Sequence, residues 1–533
     1  MIQMPITPAA RRIRRVALGD FVHRSARKFG ERTAVVDGDI RLSYAELDAR
    51  SSRFAHYLLE TFGSGRQIGM LCMNSADMVV AYNGIHKSGN VWAPVNVRLD
   101  AGSIEYILRH AEVSAVVVDA PLYADPALAA MLQGLGVPLI MTMAGGAATV
   151  PGATTLGQAE AGRSDALPDI DIDDSQPALL MYTSGTTGNP KGVVHSHQSV
   201  AAAILGNASG FAYVETDVFS GVLPLFHCAQ HGLAATAHAV GACIVLARAF
   251  VPDEIRALVL RERLTVFTGL PMMYGALLAD PQFRCDSLRQ CIYAMAPIPK
   301  PLIAQIAERM SRNVVLATGQ TEIYPATMMF KALEHPELDA NYWGTSFIHC
   351  ETAVMDDEGR LLGPGEVGEI VHRGANVMLG YFKDERATAE AQRFGWHHTG
   401  DLGMWGPKGQ MLFIDRKKDM IKTGGENVAS VKVEAVLLGH PGVAGAAVLG
   451  LPHPHWIEAV CAFVVKKPGA EVDEESILAH CRERLGGFEV PKLVRFVEAL
   501  PATATGKVQK HLLRQQFAEL ARQAWAAEPA TQK

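Results

Sequence analysis

The 533-residue sequence lacks an apolar run of membrane-spanning length, and none of its cysteines forms a Cys-x-x-Cys pair. Its eight cysteines are scattered between Cys72 and Cys481, which favours free thiols in a reducing compartment over disulfides or a zinc site. The basic segment 11–15 precedes an apolar stretch that is too short for a signal-peptide core. These absences predict a soluble, intracellular protein of the cytoplasm.

Neither sign of charge dominates, since 49 basic and 55 acidic residues leave a formal net charge of −6. That balance gives no indication of a nucleic-acid partner. Hydrophobic residues make up 49% of the chain and charged residues 20%, which excludes a disordered protein and indicates a large buried core. The length exceeds that of one ordinary domain, and the sequence contains no internal repeat.

The most informative stretch runs from Tyr182 to Gly192, directly after the apolar segment 178–181, which predicts a short buried strand. Its glycines, proline and small hydroxyl residues allow backbone N–H groups to turn inward around an anion, with Lys191 beside them. A flexible surface loop is the alternative for such a composition. The spacing is not that of the common P-loop, because Gly192 follows Lys191. We predict a phosphate-binding loop that comprises Thr183, Ser184, Gly185, Thr186, Thr187, Gly188 and Lys191.

Predicted strands and helices alternate on both sides of this loop. Such alternation favours right-handed βαβ units and a mostly parallel sheet, whose ligands collect where strands end. The first series contains the predicted strands 67–72, 91–96 and 114–118 and the predicted helices 78–86 and 101–110. The second series contains a predicted strand that ends with residues 223–227 and the predicted strands 242–246, 265–271 and 290–294. After about residue 350 the predicted strands become shorter and are separated by glycines.

Six further segments follow in a recognisable order, namely 226–227, 294–297, 318–322, 397–401, 415–428 and 501–510. With the phosphate loop they resemble the adenylate-forming superfamily, in its branch of acyl-CoA synthetases and carboxylic acid–CoA ligases, from residue 20 to residue 515. The resemblance implies an α/β fold with a large N-terminal AMP-binding domain, residues 1–417, made of αβ subdomains with mostly parallel sheets. It also implies a small β-barrel-like subdomain near residues 350–417 and a small mobile α+β C-terminal domain over residues 418–533.

The resemblance assigns roles around the nucleotide. Glu322 would ligate Mg²⁺ on the ATP phosphates, because a carboxylate is a hard oxygen donor, and Thr321 would touch the α-phosphate. Asp401 would accept hydrogen bonds from the ribose hydroxyls. Lys507 would lie between the acyl carboxylate and the α-phosphate. The proposed catalytic residues are Lys507, Glu322, Thr183, Lys191 and His227, and the other nucleotide contacts are Met295, Ala296, Pro297, Thr318, Gly319, Gln320 and Arg416.

Phe226 and His227 resemble the aromatic-plus-His segment of the family's acyl pocket. A lone histidine is more often structural, but here the context favours a pocket or gating role for His227. Two departures concern this region: Thr318 replaces the aromatic residue that stacks on adenine, and Met295 replaces a glycine and would reshape the acyl pocket. The pocket residues assigned by resemblance are Phe226, His227, Gln230, His231, Met295 and Tyr324.

The C-terminal segments are assigned in the same way. Lys418 would be the hinge of a rotating domain, and Gly424 and Gly425 would line a tunnel for the pantetheine arm of coenzyme A. Lys510 is expected to be a solvated neighbour of Lys507. The adjacent histidines 397 and 398 point apart on a predicted strand, so a metal site there is not expected.

The implied reaction joins a carboxylic acid to AMP with release of pyrophosphate, and then transfers the acyl group to coenzyme A with release of AMP. ATP, Mg²⁺, coenzyme A and the acid are therefore the expected ligands, and a homodimer is compatible with the sequence. No arginine or lysine occurs in segments 226–232, 293–298 and 317–325, so we expect an apolar tail, medium- or long-chain acyl, with an aryl tail as the alternative.

Three other functions are alternatives. A peptide-synthetase adenylation module would normally carry a neighbouring carrier domain, which the short segment after Lys507 does not favour. An acyl-AMP ligase that serves a carrier protein would share the first half-reaction. A non-catalytic nucleotide-binding regulator is the alternative from a different class, and the joint presence of Lys191, Glu322, Asp401, Arg416 and Lys507 argues against it.

Overall fold

The computed structural model describes residues 7–143, 150, 152–183, 190–294, 298–338, 340–502 and 508–526. In the described part of the chain the helices α1 to α17 are, in order, Pro8–Arg14, Gly19–Phe29, Tyr44–Phe62, Ala76–Lys87, Ala101–His110, Ala120–Tyr123, Pro126–Leu135, Leu156–Glu160, His197–Gly210, Cys228–Val240, Pro252–Arg261, Pro271–Leu278, Lys300–Arg309, Glu385–Ala391, Ser430–Leu438, Glu474–Arg482 and Lys510–Ala526.

The strands β1 to β26 of the same described ranges are Thr33–Asp37, Ile40–Ser43, Gln67–Leu71, Val91–Pro94, Ala115–Asp119, Leu139–Thr142, Thr154–Thr155, Pro177–Thr183, Lys191–Ser196, Val218–Gly221, Cys243–Leu246, Val266–Gly269, Gln290–Tyr293, Val314–Thr318, Met328–Lys331, Tyr342–Ser346, Cys350–Met355, Gly368–Gly374, Gly380–Tyr381, His397–Trp405, Met411–Arg416, Ile421–Thr423, Glu426–Val428, Val443–His453, Ile457–Lys466 and Leu493–Phe496.

Two sheets form the large N-terminal part. One has the strand order β19-β9-β8-β4-β3-β5-β6-β7, parallel from β8 to β7, with β9 and β19 added antiparallel. The other is parallel across β14-β13-β12-β10-β11-β1 and is extended by antiparallel strands at both ends. Strands buried on both faces explain apolar runs such as β5, in which every residue is buried.

The short strands of the later part of the chain continue the second sheet. β16 pairs with β21, and the antiparallel order β16-β21-β20-β18-β17 follows from there. This antiparallel part begins at Tyr342, slightly before residue 350, and continues the main sheet. The C-terminal part is a separate α+β unit, in which β23, β22, β25, β24 and β26 form one sheet beside α15, α16 and α17.

The predicted α/β fold is confirmed, and α5 has the predicted bounds. The strand that was predicted to end with residues 223–227 ends earlier, because β10 stops at Gly221 and the residues after it form a loop. All eight cysteines are free. Within the described ranges, no helix combines the length and the apolar character that a membrane crossing requires.

Candidate active site

The predicted phosphate loop follows the end of β8 and precedes the start of β9. Thr183 and Lys191 lie opposite each other in the antiparallel register of these strands. The Lys191 side chain is exposed, and its ammonium lies 4.8 Å from the centre of the Tyr381 ring. The predicted loop residues Ser184, Gly185, Thr186, Thr187 and Gly188 lie outside the described residues.

A short 3₁₀ turn, Thr321–Ile323, carries the residues predicted to meet the phosphates and the metal. The carbonyl of Thr321 accepts a hydrogen bond from His195 Nε2 over 2.6 Å, and the carbonyl of Glu322 accepts one from the Met378 amide over 2.8 Å. Burial lowers the pKa of His195 to about 4, so its ring is neutral near pH 7 and donates through Nε2–H. The turn is therefore fixed from two sides.

The Glu322 side chain is half-buried, and its Oε1 accepts a hydrogen bond from the Tyr381 hydroxyl over 3.0 Å. Tyr381 thus lies in the candidate site, although it is not among the residues predicted from the sequence. Its only local signal is a glycine followed by a tyrosine, and its partners are remote in sequence. On the other side of the turn, Thr321 Oγ1 lies 3.6 Å from Cys228 Sγ, next to His227.

The predicted ribose-binding residues come together. Gln320 Nε2 donates to Asp401 Oδ2 over 2.8 Å and to the Thr399 carbonyl over 3.0 Å. Arg416 Nε lies 3.5 Å from Asp401 Oδ1, because Asp401 and Arg416 are paired in the register of β20 and β21. This brings a carboxylate, an amide and a guanidinium together, and Gln320 directly precedes the turn that carries Glu322.

Gly319 and Thr318 lie next to each other in the segment that is predicted to contact adenine. A Cβ atom on Gly319 would lie 2.5 Å from the Cβ of Pro325, so this close approach requires glycine. Thr318 Oγ1 is buried and has no hydrogen-bond partner among the described residues. Met295, Ala296 and Pro297 lie outside the described residues.

Phe226 and His227 lie on the wall of a cavity with about 710 Å³ of empty space, part of it open to solvent. Burial, together with the positive charge of Arg98, lowers the pKa of His227 to about 4, so the imidazole is neutral near pH 7. The cavity is lined by Met73, Asn74, Arg98, Val222, Leu223, Pro224, Phe226, His227, Ala229, Gln230, Arg248, Ala249, Phe250, Leu270 and Met273.

Two arginines correct the expectation of a pocket without basic residues. Arg98 and Arg248 both line the cavity, but they lie outside segments 226–232, 293–298 and 317–325. The Arg248 guanidinium lies 3.8 Å from Asp37 Oδ2, so an acidic group already stands beside it.

The other predicted pocket residues divide into two groups. Gln230 lines the cavity and also holds its loop, since it accepts from the Leu223 amide over 3.3 Å and donates to the Ser220 carbonyl over 3.2 Å. His231 and Tyr324 are fully buried and are hydrogen-bonded to each other. They do not line this cavity, and their assignment to the acyl pocket stays a prediction.

Of the predicted C-terminal site residues, Gly424 and Gly425 lie in a hairpin. Gly424 and Gly425 form the turn between β22 and β23 with φ values of 58° and 89°, a conformation that favours glycine. Lys418 has a pKa lowered by burial and by the nearby Arg416. Lys507 lies outside the described residues.

The expectation that Lys510 is solvated is wrong. Its ammonium lies 2.7 Å from Glu434 Oε1 and donates to Ser430 Oγ over 2.7 Å, with 13% of the side chain exposed.

No cluster of three or more His, Cys, Asp or Glu side chains that could hold a metal ion is found within the described ranges. Of the adjacent histidines, His398 Nδ1 lies 3.1 Å from Glu369 Oε2, and His397 is buried.

Comparisons with known proteins agree with this arrangement. The family model described as AMP-binding enzyme matches residues 22–382, and that of the AMP-binding enzyme C-terminal domain matches residues 432–507. Feruloyl-CoA synthase of an Amycolatopsis species is 34% identical over 517 residues, covering 95% of this chain and 100% of that protein. The long-chain-fatty-acid–CoA ligase FadD13 of Mycobacterium tuberculosis is 32% identical over 485 residues, covering 90% and 94%. The crystal structure of ATP-bound MatB from Rhodopseudomonas palustris has a TM-score of 0.84 and 28% identity, covering 94% and 99%.

Proposed function

The chain belongs to the AMP-binding enzyme family and is an AMP-forming acid–CoA ligase, and from this premise we propose which residues carry each half-reaction and which acid is used. In the first half-reaction an oxygen of the acid's carboxylate attacks the α-phosphorus of ATP. An acyl-AMP forms as the bond to pyrophosphate breaks. In the second, the thiolate of coenzyme A attacks the acyl carbon and AMP leaves.

The observation that carries the assignment is a continuous set of contacts between residues from distant segments. Lys191 contacts Tyr381, which binds Glu322, and the same turn brings Thr321 to Cys228 beside the cavity. Gln320, just before that turn, bonds to Asp401. A nucleotide with its ribose at Asp401 and its phosphates near Thr321 would present its α-phosphorus to an acid in the cavity.

Glu322 fits a magnesium ligand. Its carboxylate is a hard oxygen donor, and the bond to Tyr381 occupies only part of its accepting capacity. Mg²⁺ commonly takes one or two carboxylates together with substrate phosphates rather than a full protein cage. That preference agrees with the lack of a larger ligand cluster in the described part of the chain. When bound, the ion would offset charge on the phosphates.

Thr183 and Lys191 are assigned to phosphate oxygens, and Lys507 to the α-phosphate and the attacking carboxylate, in line with the resemblance. The neutral His227 lines the cavity beside Cys228, and we assign it to gating between acid and thiol. Rotation at Lys418 would then exchange Lys507 for the Gly424–Gly425 turn, which would admit the pantetheine arm.

We assign the acid an apolar tail, medium- or long-chain acyl. Most of the cavity wall is apolar, with Phe226, Phe250 and Met273 among its larger side chains. Arg248 has Asp37 beside it, which reduces its attraction for a second carboxylate. An aryl acid is the second candidate, because a relative that covers nearly the whole chain is named feruloyl-CoA synthase.

An acid panel assayed with and without coenzyme A tests the proposal. The panel contains octanoate, palmitate, benzoate, ferulate and the dicarboxylate suberate, with AMP, pyrophosphate and thioester measured in each reaction. We expect steady AMP release only with coenzyme A, and the highest kcat/KM for octanoate or palmitate. A preference for ferulate would select the aryl candidate. Acyl-AMP that accumulates without transfer to coenzyme A would indicate a carrier-protein ligase, and nucleotide binding without turnover of any acid would indicate a regulator.

A further inference from the structure

Tyr381 lies between the two charged side chains that we assign to the ATP phosphates. Its hydroxyl donates to Glu322 Oε1 over 3.0 Å, and the Lys191 ammonium lies 4.8 Å from its ring centre. A cation at that distance from an aromatic ring is attracted by the ring's negative face. One neutral side chain therefore contacts both an anion and a cation of the site.

The backbone fixes the position of Tyr381 without help from a ligand. β19 pairs antiparallel with β9, which places Tyr381 opposite Val193, two positions from Lys191. The next amide, that of Phe382, donates to the Gly192 carbonyl over 2.7 Å. The Tyr381 amide donates to Thr388 Oγ1 over 2.8 Å. The ring thus belongs to the same rigid edge of the sheet as the lysine.

The Tyr381 hydroxyl is the donor in this bond, because the carboxylate of Glu322 accepts hydrogen bonds. The hydrogen bond holds one oxygen of Glu322, and the second oxygen is left to face a cation. No ion pair between Lys191 and Glu322 is found in the described part of the chain, although Tyr381 contacts both.

We propose that Tyr381 is a positioning residue for acyl-AMP formation, which keeps Glu322 and Lys191 apart so that both act on the phosphates of ATP. The inference rests on the proposed function, which assigns Glu322 to Mg²⁺ and Lys191 to phosphate. Without the hydroxyl, Glu322 is free to turn toward Lys191. The resulting ion pair would remove a metal ligand and a phosphate contact together.

The first test replaces only the hydroxyl, in Tyr381→Phe. We expect ATP–pyrophosphate exchange to fall about tenfold and the Mg²⁺ concentration at half-maximal exchange to rise about tenfold, the scale expected for one lost hydrogen bond to a charged group. Transfer of a supplied acyl-AMP to coenzyme A should be unchanged. Calorimetric titration with ATP should show that Mg²⁺ improves affinity less than in the wild type. The matched control is Tyr123→Phe, which loses an exposed bond to Gln133 and should behave as the wild type.

A double-mutant cycle with Glu322→Gln separates positioning from packing. If Tyr381 acts through Glu322, the two single losses do not add in Tyr381→Phe/Glu322→Gln. Additive losses would overturn the role of Tyr381 and leave the proposed function standing. The same holds if the Mg²⁺ dependence is unchanged in a Tyr381→Phe enzyme that melts at the wild-type temperature. If Glu322→Gln itself leaves the Mg²⁺ dependence unchanged, the metal assignment fails and the role of Tyr381 fails with it.

Discussion

At the scale of single residues, Asp401 gives the most direct test of the nucleotide assignment. Its carboxylate faces Gln320 and Arg416, and it is 4% exposed. We expect Asp401→Asn to raise the KM for ATP about tenfold or more, because hydrogen bonds to a charged acceptor contribute about 1.5–3 kcal/mol. The KM for the acid should stay within about twofold. Steady-state kinetics with each substrate varied measures both values.

The control for this substitution is Asp357→Asn. Asp357 pairs with Lys417 on the surface, where its side chain is 74% exposed, so the same change of charge should leave the KM for ATP unaltered. An unchanged KM in Asp401→Asn would contradict the ribose assignment, and an equal rise in both variants would point to a general effect of charge.

The sequence indicated those candidate site residues whose side-chain chemistry alone suggests a role. Glu322, Asp401 and Arg416 stand in segments of recognisable order. The structure joins Asp401 and Arg416 in one contact network with Gln320, which directly precedes the turn that carries Glu322. Tyr381 carried no such signal, because its role depends on β19 joining the edge strand β9. Arg98 was missed for the same reason, since a cavity wall is assembled from segments that are distant in sequence.

At the scale of secondary-structure elements, the loop after β10 shows why an apolar run need not be a strand. The Asn74 side chain binds backbone groups there that a neighbouring strand would otherwise pair with. Its Nδ2 donates to the carbonyls of Gly221, Leu223 and Ala247, and its Oδ1 accepts from the Leu225 amide. Pro224 also lacks an N–H for a ladder. A distant amide therefore determines the local backbone, which periodicity in sequence cannot reveal.

Asn74→Ala tests this function of the side chain. We expect a loss of about 2–3 kcal/mol, because several buried backbone groups lose their partner, and a melting temperature lower by a few degrees. The cavity wall should also loosen, so the enzyme should discriminate less between acids of different width. Scanning fluorimetry and the acid panel measure the two effects.

The matched control is Asn83→Ala, because Asn83 is equally buried, at 4% exposure, and its Nδ2 donates to Val79 O within its own helix. A loss of stability in Asn83→Ala without a change in acid preference is expected. If Asn74→Ala retains the wild-type order of acids, Asn74 does not shape the pocket.

At the scale of the whole molecule, buried histidines make the N-terminal part sensitive to acid. His86, His197, His231 and His238 are all buried, and burial lowers the pKa of each below its usual value, to about 4 for His197 and His238 and about 3 for His231. Their folded-state pKa values lie below the unfolded value near 6.5, so the unfolded chain binds more protons. Stability is therefore complete above pH 6.5 and is lost as the pH falls toward 4.

His86→Phe should reduce this sensitivity. A fully buried neutral histidine lowers the free energy of unfolding by up to about 2 kcal/mol when the pH falls from 6.5 to 5. The variant should therefore show a smaller drop in melting temperature between pH 7 and pH 5 than the wild type. Because the two proteins are compared by their change in melting temperature with pH, a pH-independent loss of stability from the new side chain does not affect the result. An identical drop in both proteins would show that His86 is protonated without unfolding.

The two parts of the chain meet at Asp415, just before the proposed hinge at Lys418. Asp415 Oδ2 accepts from the Ser430 amide over 2.5 Å and from Ser430 Oγ over 2.7 Å. Lys510 donates to the same hydroxyl and pairs with Glu434, so helices α15 and α17 are both tied to the end of β21. Rotation at Lys418 would separate Asp415 from Ser430, because the two residues lie on opposite sides of the hinge.

Asp415→Asn should therefore change the balance between the half-reactions. An amide accepts the Ser430 donors more weakly than a carboxylate, so the arrangement seen here should lose about 1.4 kcal/mol or more relative to the alternative. The half-reaction that uses this arrangement should slow and the other should accelerate, with their ratio changed about tenfold. ATP–pyrophosphate exchange and thiolation of supplied acyl-AMP, measured on one preparation, give the two rates.

Lys432→Met is the control, because its ion pair with Glu489 lies within the C-terminal part and does not cross the hinge. Equal slowing of both half-reactions in Asp415→Asn would mean that the Asp415–Ser430 contact supports folding alone and that rotation does not break it.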